Sequence, residues 1–472
     1  MCSTFEILIH FHFYFIQIIH HNHDSKTMTR TTDAGNKHGR DCGMPITKLT
    51  KSMGYKRPGY RVPALLMAFL LLMFSGCDVL NGDADKSGDT KQPVRELSAQ
   101  EKVLVDGAND FTFNLLQKLS VTAPDESFFA SPLSISMAFG MSLNGTDGDT
   151  YNEMRDFFGH DGLTNEEINI AFRDLIGLLT SLDPQVRIEI ANSIWYRRGF
   201  EVMQEFLETN AEYFDSEIED LDFGDPAAVD IINGWINDKT NGLIEEMIDQ
   251  IGPDVVMYLI NAIYFKADWT IQFDPDDTRD ESFLTGTGES VDMPMMRVRD
   301  AFGYYQNSEW QVVNLPYGSG DFSFTAFLPA DRDDLSGFAG SLSRHEFDQI
   351  VSQIDEDTVN VFMPRFEIDF DYEDIMDDLE GMGLTLPFSP SGADFSRINP
   401  DEDLFISDVM HRAVIMVDEE GSEAAAVTVI EISRTSAGPV ELSIRLDRPF
   451  LFFIRENSSN TILFMGKYAG PQ

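Results

Sequence analysis

Asp418-Glu419-Glu420-Gly421-Ser422-Glu423-Ala424-Ala425-Ala426-Val427-Thr428, followed by Asp447-Arg448-Pro449-Phe450-Leu451-Phe452-Phe453-Ile454, is the stretch on which the fold turns. An acidic turn, a glycine, then small residues and β-formers with no proline before Pro439 describe a segment that can be displayed as a loop and can also become a strand. If residues 422 to 432 are laid into a sheet, period-two alternation puts Ser422, Ala424, Ala426, Thr428, Ile430 and Ile432 on one face and Glu423, Ala425, Val427, Val429 and Glu431 on the other. The first face is small where it begins and apolar where it ends, which suits a strand that enters between two existing strands and covers a core. A ladder hydrogen bond contributes roughly 1 kcal/mol net, so about ten residues bonded on both sides would release on the order of 10 kcal/mol.

Working outward, the chain has 472 residues, 43% of them hydrophobic, enough for a large core. Its net charge of −46 is unevenly placed. Residues 1 to 77 carry 9 of the 34 basic and 4 of the 80 acidic residues, which leaves 25 against 76 in the remainder. Such a surface repels nucleic acid and anionic lipid and reads as a solvated acidic exterior suited to a saline habitat. No calcium-loop spacing occurs among the carboxylates. All three cysteines, Cys2, Cys42 and Cys77, precede the globular part, so no disulfide framework is expected within it.

Lys56, Arg57 and Arg61, the apolar run Val62 to Phe74, and then Phe74-Ser75-Gly76-Cys77 read as a secretory leader over residues 53–77, too short to span a membrane comfortably. Its last four residues resemble a bacterial lipobox, which implies a lipidated Cys77 as the mature N-terminus; a cleaved, unlipidated signal is the alternative. The leader starts naturally at Met53, so residues 1–52 read as sequence upstream of the true start. Their histidine cluster, His10, His12, His20, His21 and His23, sits in an apolar, aromatic run unlike a metal site. Residues 78–96 read as a flexible acidic tether.

From residue 97 to 472 neither repeat nor low-complexity linker interrupts the chain, and one domain is expected. Ser98-Ala99-Gln100-Glu101 caps an amphipathic run to Leu119. Strand-like runs dominate later, at Val312-Val313-Asn314-Leu315, Phe322 to Leu328, Val359 to Met363 and Ile462 to Phe464. Helices first and strands later give an α+β class. Five further segments share one order with a known family: Phe128-Phe129-Ala130-Ser131-Pro132-Leu133-Ser134-Ile135, Gly148-Asp149-Thr150, Ile190-Ala191-Asn192-Ser193-Ile194-Trp195, Ile232-Asn233-Gly234-Trp235-Ile236, and Leu259-Ile260-Asn261-Ala262-Ile263-Tyr264-Phe265-Lys266-Ala267-Asp268-Trp269. With the 418–428 run and Pro449-Phe450 they resemble the serpins throughout the domain.

That resemblance implies a large central mixed sheet, flanking helices and an exposed reactive loop. It implies a hinge at Glu420, Gly421, Ser422, Glu423, Ala424, Ala425, Ala426 and Thr428. It also implies a polar cluster beneath the parting sheet at Ser131, Ser134, Asn261 and His411, and Trp269 at the top, where insertion begins. The family's commonest loop length places the scissile bond at Thr435-Ser436; the trypsin-suited side chain of Arg434 makes Arg434-Thr435 the alternative. The implied function is irreversible inhibition of serine-type endopeptidases, with cysteine-type as a further class, by loop cleavage and insertion. The alternative is a non-inhibitory surface or binding protein on the same fold. No Gly-x-Ser-x-Gly elbow, H-E-x-x-H, Walker loop or dinucleotide fingerprint occurs, so no enzyme, cofactor or metal site is expected. The expected partners are a target protease in covalent complex and a membrane reached through Cys77. The expected state is a monomeric, secreted lipoprotein, periplasmic or cell-surface. The sequons at Asn144 and Asn457 read as chance.

Overall fold

The computed structural model describes residues 11–21, 95–242, 244–330, 338–420 and 442–471. Met1–His23 and Val94–Gln472 form one compact unit. The chain enters it through helix α1, Ala99–Thr122, closed by the expected capping box: the Glu101 N–H donates to Ser98 Oγ at 3.1 Å, and the Ser98 N–H donates to Glu101 Oε2 at 2.7 Å. Helix α2, Pro132–Leu143, follows a short strand at Phe128–Ala130. Its sequence, PLSISMAFGMSL, is small or apolar on every side, and all of its residues are buried, as befits a helix enclosed within the core.

Two sheets flank that core. Among the described residues the first has six strands, β1 (Phe11–His21), β2 (Val186–Arg197), β3 (Glu217–Leu221), β4 (Val255–Ala267), β5 (Phe366–Asp371) and β6 (Leu404–Val417), in the order β5-β6-β1-β4-β2-β3. The β2–β3 pair is parallel and the remaining pairs antiparallel, so the sheet is mixed, as expected. β4 is buried along nearly its whole length, which explains why, Asn261 and Lys266 apart, it reads as an apolar run rather than an alternating one.

The second sheet is built from later segments, with Trp310–Tyr317, Phe322–Pro329, Phe450–Glu456 and Ile462–Tyr468 side by side and Phe128–Ala130 at one edge. The four strand-like runs of the sequence all fall inside its strands. Stacked and tilted phenylalanines fill the space behind it, Phe324 over Phe452 with centroids 4.9 Å apart and Phe113 against Phe347 at 5.2 Å. β1 is the element the sequence did not lead us to expect: it comes from the stretch read as upstream of the start, yet it lies at the centre of the first sheet.

Candidate functional site: the gap between β4 and β6 and the turn above it

Helix α2 begins at the middle of the first sheet, and its start is tied to both strands that flank β1. Ser131 is the helix N-cap: its Oγ accepts from the Ser134 N–H at 3.2 Å and donates to the Leu463 carbonyl at 2.8 Å. The Ser131 N–H donates to Nε2 of His411, on β6, at 3.2 Å. Ser134 Oγ donates to Oδ1 of Asn261, on β4, at 2.5 Å. Asn261 Nδ2 in turn donates to Asn192 Oδ1 on β2 at 2.7 Å, and Asn192 Nδ2 donates to the Phe214 carbonyl at 2.7 Å. Ser131, Ser134, Asn261 and His411 are fully buried.

The structure thus brings together the four residues the sequence pointed to, as two pairs, one on each side of β1. Phe15 is the Cα partner of both Asn261 and His411, so the two pairs lie at one level of the sheet. Sequence reasoning missed Asn192, although it stands directly opposite Asn261 in the β2–β4 register. An asparagine between Ile190-Ala191 and Ile194-Trp195 was the available signal, since a buried amide requires a partner.

The geometry also speaks to nucleophilic catalysis. His411 Nε2 accepts a backbone N–H, so it carries no proton of its own, while the Ser131 hydroxyl is directed to a carbonyl. The imidazole is therefore occupied by the amide and not by the hydroxyl it would have to deprotonate.

At the upper end of the gap the chain leaves β6 at Val417 and turns. Trp269, two residues beyond the end of β4, donates from Nε1 to the Asp418 carbonyl at 2.9 Å. The Phe273 N–H reaches the Glu419 carbonyl at 3.0 Å, and Gln272 Nε2 reaches the Glu420 carbonyl at 2.7 Å. The side chain of Glu419 accepts from Thr278 Oγ1 at 2.6 Å and lies 3.7 Å from Arg365. Trp269 is held by stacking on Tyr317, centroids 4.4 Å apart and planes 12° from parallel, with Phe273 and Phe324 edge-on. Full burial pushes the Tyr317 phenol well above its ordinary ionisation range, so this support stays uncharged.

The turn at 418–420 is thereby seated over the top of the gap, and whatever follows Glu420 starts from there. Glu420 is the one expected hinge residue whose position is described; Gly421, Ser422, Glu423, Ala424, Ala425, Ala426 and Thr428 lie outside the described residues. Both candidate bonds, at Arg434, Thr435 and Ser436, lie outside them as well, as does Cys77. Among the described residues no helix is long and apolar enough to cross a membrane.

A mixed sheet laid over a buried polar cluster, with a tryptophan-seated turn at its upper end, is the arrangement the sequence resemblance implied. The chain belongs to the serpin family: the family model described as serpin (serine protease inhibitor) matches residues 106–471. Human neuroserpin is 32% identical over 375 residues, a match covering 77% of this chain and 90% of that protein. Among solved structures, the thermophilic serpin tengpin in its native state superposes with a TM-score of 0.69 at 26% identity, over 80% of this chain and 96% of that one. Human thyroxine-binding globulin superposes with a TM-score of 0.70 at 28% identity, over 79% and 100%. The fold is therefore similar to that of a hormone-binding globulin as well, and fold alone does not fix the activity.

Proposed function

We propose that this serpin is an irreversible, suicide-substrate inhibitor of serine endopeptidases, with cysteine endopeptidases as a further class of target. The observation that carries the reading is the seated turn at 418–420: it delivers the chain above the gap between β4 and β6, followed in sequence by the small, proline-free run Ser422 to Thr428. A protease accepts the loop, its serine attacks a peptide carbonyl, and an acyl-enzyme forms with release of the new amino terminus. Residues 422 to about 432 then enter the sheet and carry the tethered protease away before water can reach the ester, so the outcome is a race between insertion and deacylation. The protein takes no catalytic part of its own.

The bond is Thr435-Ser436 by loop length, with Arg434-Thr435 as the alternative. The binding-protein reading draws on the likeness to thyroxine-binding globulin, and Ser422 with Ala424 to Ala426 oppose it, since a charge or a proline at those positions would block burial and bonding. We further assign residues 53–77 to a leader and Cys77 to a lipid anchor that holds a monomer at a membrane surface; labelling with a palmitate analogue, lost in Cys77→Ser, tests that part.

A protease panel scored for SDS-stable complexes tests the inhibitory reading. Mass spectrometry of the small released C-terminal peptide fixes the bond, an N-terminus at Ser436 supporting threonine and one at Thr435 supporting arginine. Ser422→Arg should turn the inhibitor into a substrate. Undiminished trapping by that variant would remove insertion from the mechanism.

A further inference from the structure

The place where the loop would insert is occupied by the chain itself. β1 pairs antiparallel with β6 from Phe11 opposite Ile415 to His21 opposite Leu404, and antiparallel with β4 from Phe11 opposite Phe265 to His20 opposite Val255. Its only register irregularities fall at Ile18/Ile19 on the β6 side and Ile19/His20 on the β4 side, near its lower end. β6 runs up into the seated turn, so a strand descending from that turn would also lie antiparallel to β6 and β4, as β1 does. β1 has 11 residues, the same length as the segment 422 to 432. At its middle, Phe15 stands between Asn261 and His411, the two strand residues tied to the start of α2.

We propose that β1 is an intramolecular occupant of the insertion gap, so that the reactive loop cannot enter while β1 is in place. This rests on the inhibitory reading for its consequence but not for its geometry. An edge segment could be brushed aside, but a strand bonded on both sides must lose two ladders before another can take its position. Removal of the leader supplies a way out. Hydrolysis of the Gly76–Cys77 peptide bond, with water giving the Gly76 carboxylate and the Cys77 amine, would leave β1 attached to the domain by its ladders alone. A chain retaining residues 1–76 would be held inactive, and one that has lost them would be armed.

The test uses the full chain, residues 1–472, produced without leader cleavage, beside Phe15→Pro and a deletion of residues 11–21. Proline at position 15 removes the N–H that faces one of the two flanking strands, and its ring is not accommodated at the middle of a strand paired on both sides. Hydrogen exchange at 255–265 and 404–415 should quicken about a hundredfold in Phe15→Pro, and at least as much in the deletion. Cutting the chain between residues 429 and 441 should leave the melting midpoint of the full chain unchanged but raise that of both variants. Unaltered exchange in both variants, or an equal gain in melting midpoint by the uncut-leader chain, would overturn the proposal. The inhibitory reading fails separately: if both variants exchange faster yet neither gains stability on loop cleavage or traps a protease, β1 fills the gap but the loop does not use it.

Discussion

The bonds beneath the gap make a quantitative prediction about how α2 is locked to the sheet. Replacing Asn261 by alanine removes the acceptor of the Ser134 hydroxyl and the donor to Asn192 Oδ1, both in a fully buried site. Leaving a buried polar group unsatisfied costs about 1 to 3 kcal/mol. The Ser134 hydroxyl can rotate towards a helix carbonyl, whereas Asn192 Oδ1 is fixed by the bond its own amide makes to Phe214. Asn261→Ala should therefore destabilise by about 2 to 4 kcal/mol, and Ser134→Ala, which strands only Asn261 Oδ1, by about 1 to 2 kcal/mol. The two changes should not add. Once Asn261 is gone the oxygen that Ser134→Ala would strand no longer exists, so the second change adds little, and the double variant should fall short of the sum by about 1 to 2 kcal/mol.

Urea unfolding of the two single variants and the double variant, read as midpoint and slope, gives that coupling directly. Additivity within about 0.5 kcal/mol, the level seen for independent sites, would mean that Ser134 and Asn261 do not hold each other. A cost below about 1 kcal/mol for Asn261→Ala would refute the claim that the amide is locked between two partners.

Trp269→Phe keeps an aromatic ring to stack on Tyr317 but removes the Nε1 donor to Asp418, so it should cost about 1 kcal/mol and speed exchange at the 418–420 amides selectively; equal acceleration throughout the sheet would refute a local role. His160 is buried between Phe158 and Phe172, and burial lowers its imidazole to about 4 from an ordinary 6.5. Its contribution is complete above pH 6.5, where folded and unfolded rings are both neutral, and is lost progressively as pH falls towards about 4, because the unfolded chain then binds a proton that the folded one refuses. That gap is worth about 3 kcal/mol in all, so His160→Phe should flatten the fall in melting midpoint between pH 6.5 and 4.

Local signals carried much of the fold. The Ser98 and Glu101 capping box, the small and apolar residues all round α2 and the largely apolar run of β4 can each be read within a dozen or so residues, because capping and burial leave their marks at fixed short spacings. The seat of the turn was less legible. Asp418-Glu419-Glu420 looks like a solvated acidic turn, yet Asp418 and Glu419 are buried, and the groups that receive them come from 269–278 and 365, far away in sequence. β1 was the least legible element. Phe11 to His21 carries apolar residues at both odd and even positions, the pattern of a strand covered on both faces, but its ladders form with residues more than two hundred positions away. Nothing in a local window states that such a gap exists.

On the proposed inhibitory mechanism, the relative sizes of these interactions locate the control of insertion. The seat holds the turn through three backbone carbonyls, those of Asp418, Glu419 and Glu420, and through the Glu419 side chain on Thr278, so releasing it entirely would cost about 4 kcal/mol at roughly 1 kcal/mol per bond. A strand of ten residues bonded on both sides returns on the order of 10 kcal/mol. The seat is therefore too weak to restrain a loop with an open gap to enter, and its work is to aim the chain, since it grips main-chain atoms and leaves the side chains beyond Glu420 free to differ. What can restrain the loop is the gap itself. While β4 and β6 are each bonded along β1, an entering strand gains nothing until ladders of about its own value have been given up. The identity of the strand between Asn261 and His411, more than the strength of the hinge, thus decides whether this fold can be driven by the cutting of its loop.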